Sequence, residues 1–139
     1  MQRTEIDFTS DPDDIAWHGL IERRLMPLAH AAGFSELTLF GLQLALVEAV
    51  NNIIEHAYTM APNQPIAISG ECTKGMLRFQ LRDRGRPMPL PLPSGVPAAP
   101  DASGGRGWQI IRAGFTEVSY ARRDGVNLLT LSRPVPDGT

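Results

Sequence analysis

The sequence predicts an α+β domain folded as a two-layer sandwich, a sheet on one side and helices on the other. Three observations carry this expectation. The chain has 139 residues, which suits one domain, 1–139. Its strand-like stretches come in neighbouring pairs joined by short turns. Two helical patterns stand together ahead of the first such pair, and a third precedes the second pair.

Residues 2–8 (QRTEIDF) alternate weakly and read as a first strand. SDPDD then reads as a helix start, with Ser10 or Asp11 as cap, Pro12 in the first turn and acids at the positive helix end. A helix over 13–32 follows, with Ile15, Leu20, Ile21, Leu25 and Leu28 at apolar positions. Pro27 predicts a kink or early stop, and Gly33 a terminator. Ser35 opens the strongest helix, roughly 36–58. It is apolar all round (Leu37, Leu39, Phe40, Leu44, Val47, Val50, Ile54) and so expected to be largely buried. After a loop at 59–65, IAISGEC (66–72) and MLRFQLRD (76–83) read as strands joined by TKG.

Six prolines between 87 and 100 exclude a helix or central strand there. A long loop of this kind in a small domain is either disordered or a functional lid. GRGWQIIRAGF (105–115) reads as a glycine turn opening a short helix. FTEVSYARR (115–123) and NLLTLSRP (127–134) close the chain as strands around the DGVN turn, and residues 134–139 read as a flexible tail.

Composition excludes some functions. Thirteen Lys and Arg against fifteen Asp and Glu leave a net charge of −2, without the basic excess of a dedicated nucleic-acid binder. No direct nucleic-acid contact is expected, while a sequestering contact with a basic protein stays open. The single cysteine, Cys72, forms no intramolecular disulfide and fits a reducing compartment. One cysteine and three scattered histidines make no zinc site. No apolar run of membrane-spanning length and no signal peptide are read, so the expected location is cytoplasmic, without membrane.

Three polar features remain. Glu48, Asn52 and His56 fall four apart along one stripe of an otherwise apolar helix. Unpaired buried polar groups are costly. The stripe is therefore a satisfied polar network, a solvated edge, or a site: Asn52 offers an amide oxygen suited to magnesium, and Glu48 a proton acceptor. Asp83-Arg84-Gly85-Arg86-Pro87 ends a strand, either as a plain turn or as an acceptor for an exocyclic amine, with Gly85 letting a flat ring approach. Gly104-Gly105-Arg106-Gly107 precedes a helix, either as a hinge or as N–H groups for phosphate oxygens, with Arg106 adding charge. Neither a Walker A loop nor a Rossmann fingerprint is present.

Taken in order, E-x-x-x-N-x-x-x-H-A-Y, D-x-G-x-P and G-G-R-G resemble the motifs of the histidine-kinase-like (GHKL-type) ATPases, the family shared by gyrase, the ninety-kilodalton heat-shock chaperone, histidine kinases and mismatch-repair proteins. LALVEAVNNIIEHAY (44–58), the length and the two closing strands are most similar to the small bacterial anti-sigma-factor serine/threonine kinases. The resemblance covers nearly the whole chain. It implies a Bergerat-type ATP-binding fold, a mixed sheet with helices on one face, and an ATP lid at 88–103. By the same resemblance Glu48 is the general base and Asn52 the Mg2+ ligand. Asp83 recognises the adenine amino group with Gly85 beside it, and Gly105 and Gly107 contact phosphates.

The implied reaction transfers the γ-phosphoryl group of ATP to a Ser or Thr of an anti-anti-sigma (STAS-type) partner, leaving ADP. The unphosphorylated partner displaces a sigma factor. Relatives are often dimers, so a homodimer is open. A histidine kinase would need a helical dimerisation segment carrying the phosphorylated His, and residues 1–35 read as too short and too β-like for one. The chain also departs from the family. Its lid is proline-rich, Trp108 replaces a smaller aliphatic residue, and GVN stands where Gly-Thr is common, leaving an adenine-side contact of Asn127 open. A nucleotide-binding module with weak catalysis, regulating by sequestration, is the alternative.

Overall fold

The structure, a computed structural model, describes residues 2–94 and 106–136. Gly104, Gly105, residues 95–103 of the lid and residues 137–139 of the tail lie outside the described residues. Strand β1 (Gln2–Ser10) leads to helix α1 (16–31) and helix α2 (Glu36–Asn52, continued by a wider π-type turn, Ile53–Ala57). Then come β2 (Gln64–Thr73), β3 (Met76–Asp83), helix α3 (Arg106–Gly114), β4 (Glu117–Arg123) and β5 (Val126–Pro134). The order of elements is the one the sequence predicts.

The five strands form one sheet in the order β1-β2-β3-β5-β4. Where the family resemblance implies a mixed sheet, every pairing here is antiparallel. The reason is that β4 runs parallel to β3, but the closing hairpin returns β5 between them. Both hairpins turn through two residues with positive φ, Lys74-Gly75 and Asp124-Gly125, the backbone twist that matches paired strands.

Side chains alternate across the sheet. Ile66 and Ile68 of β2, Leu77, Phe79 and Leu81 of β3, and Leu129 and Leu131 of β5 form the buried face. Helix α2 lies on this face with Leu42, Leu46 and Val50 wholly buried. Each such side chain stabilises the fold by about 1.5–3 kcal/mol. The all-round apolar pattern nevertheless misleads about burial, since Leu37 and Phe40 are 83% and 62% exposed. In a two-layer fold only one side of a helix meets the sheet, so its outer stripe stays open. By length and composition residues 36–57 would also pass as a membrane span, contrary to the sequence expectation that none exists. Its buried face against the sheet marks it as a core helix.

Three local readings change. Helix α1 begins at Ala16, later than expected, because the acids form turns instead of caps. Asp11 Oδ1 accepts from the Asp13 N–H and Asp14 Oδ1 from the Ala16 N–H. Ser10 is not a cap but the buried end of β1, its hydroxyl donating to Ala61 O. Pro27 neither stops nor ends the helix. A wider π-type turn at Ile21–Leu25 precedes it, and Pro27 sits in the first turn beyond, where its missing N–H costs little. At the other end, Pro134 pairs with Met76, and Val135 N–H bonds Gly75 O, so the start of the predicted tail belongs to the sheet. Ser35 does cap α2, its hydroxyl oxygen accepting from the Thr38 N–H.

Candidate nucleotide site

The last turns of α2, the end of β3 and the start of the proline segment enclose a cleft of about 680 Å³. That volume suits a nucleotide-sized ligand. Asn52, Ile53, His56 and Ala57 line it from the end of α2, and Asp83 and Arg86 from the end of β3 and the turn after it. Pro87, Met88, Pro89, Pro91 and Pro93 make a largely apolar wall. Trp108 from α3 and Tyr120 and Asn127 from the closing hairpin complete it. The described part of the predicted lid is thus a wall of the cleft, with Arg112 Nε donating to Pro93 O at 2.8 Å.

Asp83 reaches this position by strand alternation. It follows Leu77, Phe79 and Leu81 on the buried face and is 6% exposed. Its Oδ1 accepts from the Gly85 N–H at 2.9 Å and from Asn127 Nδ2 at 2.8 Å. Among the described residues no donor reaches Oδ2, which is left to the cleft. Burial pushes the Asp83 carboxyl above its ordinary value, while the Asn127 and Gly85 donors and the Arg122 guanidinium pull it back down.

Asn52 brings the opposite case: the residue is half-buried, but its Nδ2 is itself buried and has no partner among the described residues. An unpartnered buried polar group in a cleft wall marks a place for a polar ligand. Glu48, one turn earlier, approaches the first turn of α3. A Cβ added at Gly107 would stand 3.0 Å from Glu48 Oε2 and 3.8 Å from Asn52 Oδ1. Glycine there lets two oxygens and the N–H groups of a helix start share one corner. The amide oxygen of Asn52 fits magnesium held jointly with phosphate oxygens, with the remaining positions for phosphate and water. Among the described residues no cluster of three His, Cys, Asp or Glu offers an all-protein metal cage.

Structure therefore brings Glu48, Asn52 and Gly107 together, with Asp83 lining the same cleft as Asn52 and Arg106 exposed at the helix start. Gly105 lies outside the described residues. Gly85 acquires a reason other than the approach of a flat ring. A Cβ there would lie 2.4 Å from Ala57 O, because the segment after β3 runs tightly along the end of α2. The Arg86 N–H bonds that same carbonyl at 2.8 Å. Gly85→Ala is expected to cost about 1–3 kcal/mol of stability through this backbone clash, read as a lowered denaturation midpoint. An unchanged midpoint would refute the tight approach.

Tyr58 is a buried strut. Its hydroxyl donates to Pro65 O and accepts from the Arg84 N–H, holding the end of β3 against α2. Burial raises its pKa. His56 lines the cleft while largely exposed. The sequence reading missed Tyr120 and Arg122. Alternation within FTEVSYARR would have set Val118, Tyr120 and Arg122 on one face, but which strand they meet needs the sheet order.

This fold and this site define a class. A family model described as the histidine kinase-like ATPase domain matches residues 9–133, and the chain belongs to that family. It is also similar to a protein named serine/threonine-protein kinase BtrW from Bordetella bronchiseptica, at 34% identity over 97 residues, covering 67% of this chain and 68% of the relative.

Proposed function

We propose that the protein is an ATP-dependent serine/threonine protein kinase that acts as an anti-sigma factor in the cytoplasm by phosphorylating an anti-anti-sigma (STAS-type) partner. One observation carries the reading. Glu48 Oε2 stands at the helix start of α3 beside Asn52 Oδ1, and Asn52 lines the same cleft as Asp83. With phosphates at the start of α3 and an adenine ring at Asp83, Glu48 would be the base beside the phosphates. Its similarity to a named serine/threonine kinase supports the same reading.

In this reading Asp83 Oδ2 accepts from the adenine amino group. The N–H groups at the start of α3, Arg106 and Gly107 among them, receive phosphate oxygens. Glu48 takes the proton of a partner hydroxyl as its oxygen bonds the γ-phosphorus. The bond to the bridging oxygen breaks and ADP departs. Asn52 would hold Mg2+, which when bound neutralises charge on the phosphates. Phosphoryl transfer needs chiefly such positioning and charge neutralisation.

The test mixes the protein with Mg-ATP and the anti-anti-sigma proteins of its source organism. Transfer of the γ-phosphoryl to a Ser or Thr of one of them is expected. ADP binding by calorimetry without transfer to any would overturn the kinase reading. The second reading, a nucleotide-holding module that works by sequestering its partner or a sigma factor, is favoured by the anchoring of the proline wall through Arg112 and Tyr120. Full biological output from a Glu48→Gln protein would select it.

A further inference from the structure

Asn127 is 3% exposed and stands directly opposite Asp83 in the β3–β5 register. Its Nδ2 donates to Asp83 Oδ1 at 2.8 Å, to Arg86 O at 3.0 Å and to Gly85 O at 3.2 Å. Its Oδ1 accepts from Arg122 Nη1 at 2.8 Å and from the Tyr120 hydroxyl. These partners fix the amide in one orientation. Turned over, its oxygen would face a carboxylate and two carbonyls, and its NH2 a guanidinium. The Tyr120 hydroxyl also accepts from the Met88 N–H at 2.9 Å. One hydrogen-bond chain therefore runs from the first residues of the proline wall, through Tyr120 and Asn127, to the acid that lines the cleft.

We propose that Asn127 and Tyr120 are positioning residues that set the choice of purine, by locking Asp83 so that a pure acceptor faces the base. The inference rests on reading the cleft as an adenine-nucleotide site. With Oδ1 occupied by Asn127 and Gly85, only Oδ2 is offered to a ligand. A locked acceptor takes the N–H of a 6-amino purine and repels the oxygen of a 6-oxo purine. A carboxylate free to turn loses that discrimination, since it can swing away from the oxygen or admit a water between. Tyr120 acts one step back: its hydroxyl holds the Asn127 oxygen, and the Met88 backbone holds the hydroxyl.

The experiment compares ADP with inosine diphosphate, which carries a 6-oxo group, by titration calorimetry in magnesium buffer. Wild type is expected to prefer ADP strongly. Tyr120→Phe removes one hydroxyl and keeps the ring. It is expected to narrow the ADP-to-inosine-diphosphate preference on the order of tenfold, as one lost hydrogen bond to a buried network implies. Asn127→Ala is expected to narrow it further. A merely structural role would weaken both nucleotides together, and an unchanged preference in Tyr120→Phe would overturn the proposal. If Asn127→Ala does not fold, Tyr120→Phe alone decides. A wild type that binds neither nucleotide sinks the site reading itself, whereas one that prefers ADP alongside variants of unchanged preference sinks only the clamp.

Discussion

Replacing Glu48 with Gln is expected to lower phosphotransfer to the protein partner by about 10²–10⁴-fold, the usual contribution of a positioned general base. The substitution keeps the shape of the side chain and removes only its ability to take a proton. Glu48 is half-buried, its carboxylate against the glycine-rich start of α3, and it does not line the cleft that would hold the base and sugar. ADP affinity should therefore change little. Stability should fall by at most about 0.3–1 kcal/mol, the worth of a carboxylate near a helix N-terminus. The measurements are single-turnover transfer of labelled phosphate, ADP calorimetry and thermal melting on the same preparation. Transfer at the wild-type rate would remove Glu48 from the chemistry. Loss of transfer together with loss of ADP binding would assign it to the binding of nucleotide instead.

Much of this site was legible because the informative residues break an apolar pattern. Asp83 ends a strand whose other inward residues are Leu77, Phe79 and Leu81, and Glu48 and Asn52 interrupt a core helix. A polar group in such a place has to be paired or used, and that physical demand is visible one residue at a time. Periodicity also gave the hairpins and the order of elements. What stayed hidden depended on long-range placement. Asn127 faces Asp83 only because β5 inserts between β3 and β4, and no local pattern encodes that insertion. The same holds for Gly85, whose small size answers the carbonyl of Ala57, twenty-eight residues earlier in the chain. Exposure on α2 misled for a related reason: Leu37 and Phe40 look like core until the sheet shows which side of the helix it covers.

Replacing Asp83 with Asn should weaken ADP binding by about 1–3 kcal/mol, roughly 5- to 150-fold, while leaving the fold in place. The direction follows from which oxygen is occupied. Oδ1 accepts from Gly85 and Asn127, so an amide at this position would turn its own oxygen toward those donors. Its NH2 would then point into the cleft at the amino group of adenine, donor against donor. The carboxylate also carries a pH signature with opposite signs for binding and stability. Burial raises its pKa in the folded protein above the ordinary 3.8. Between those two values the folded state holds a proton that the unfolded state has released, so the contribution of Asp83 to stability rises as pH falls through its folded pKa. ADP binding needs the ionised acceptor and should weaken over the same range. The Asp83→Asn protein should lose this component of both trends and bind ADP weakly at every pH. A variant that binds ADP as tightly as wild type would show that Asp83 does not meet the base, and the adenine end of the cleft would have to be sought elsewhere.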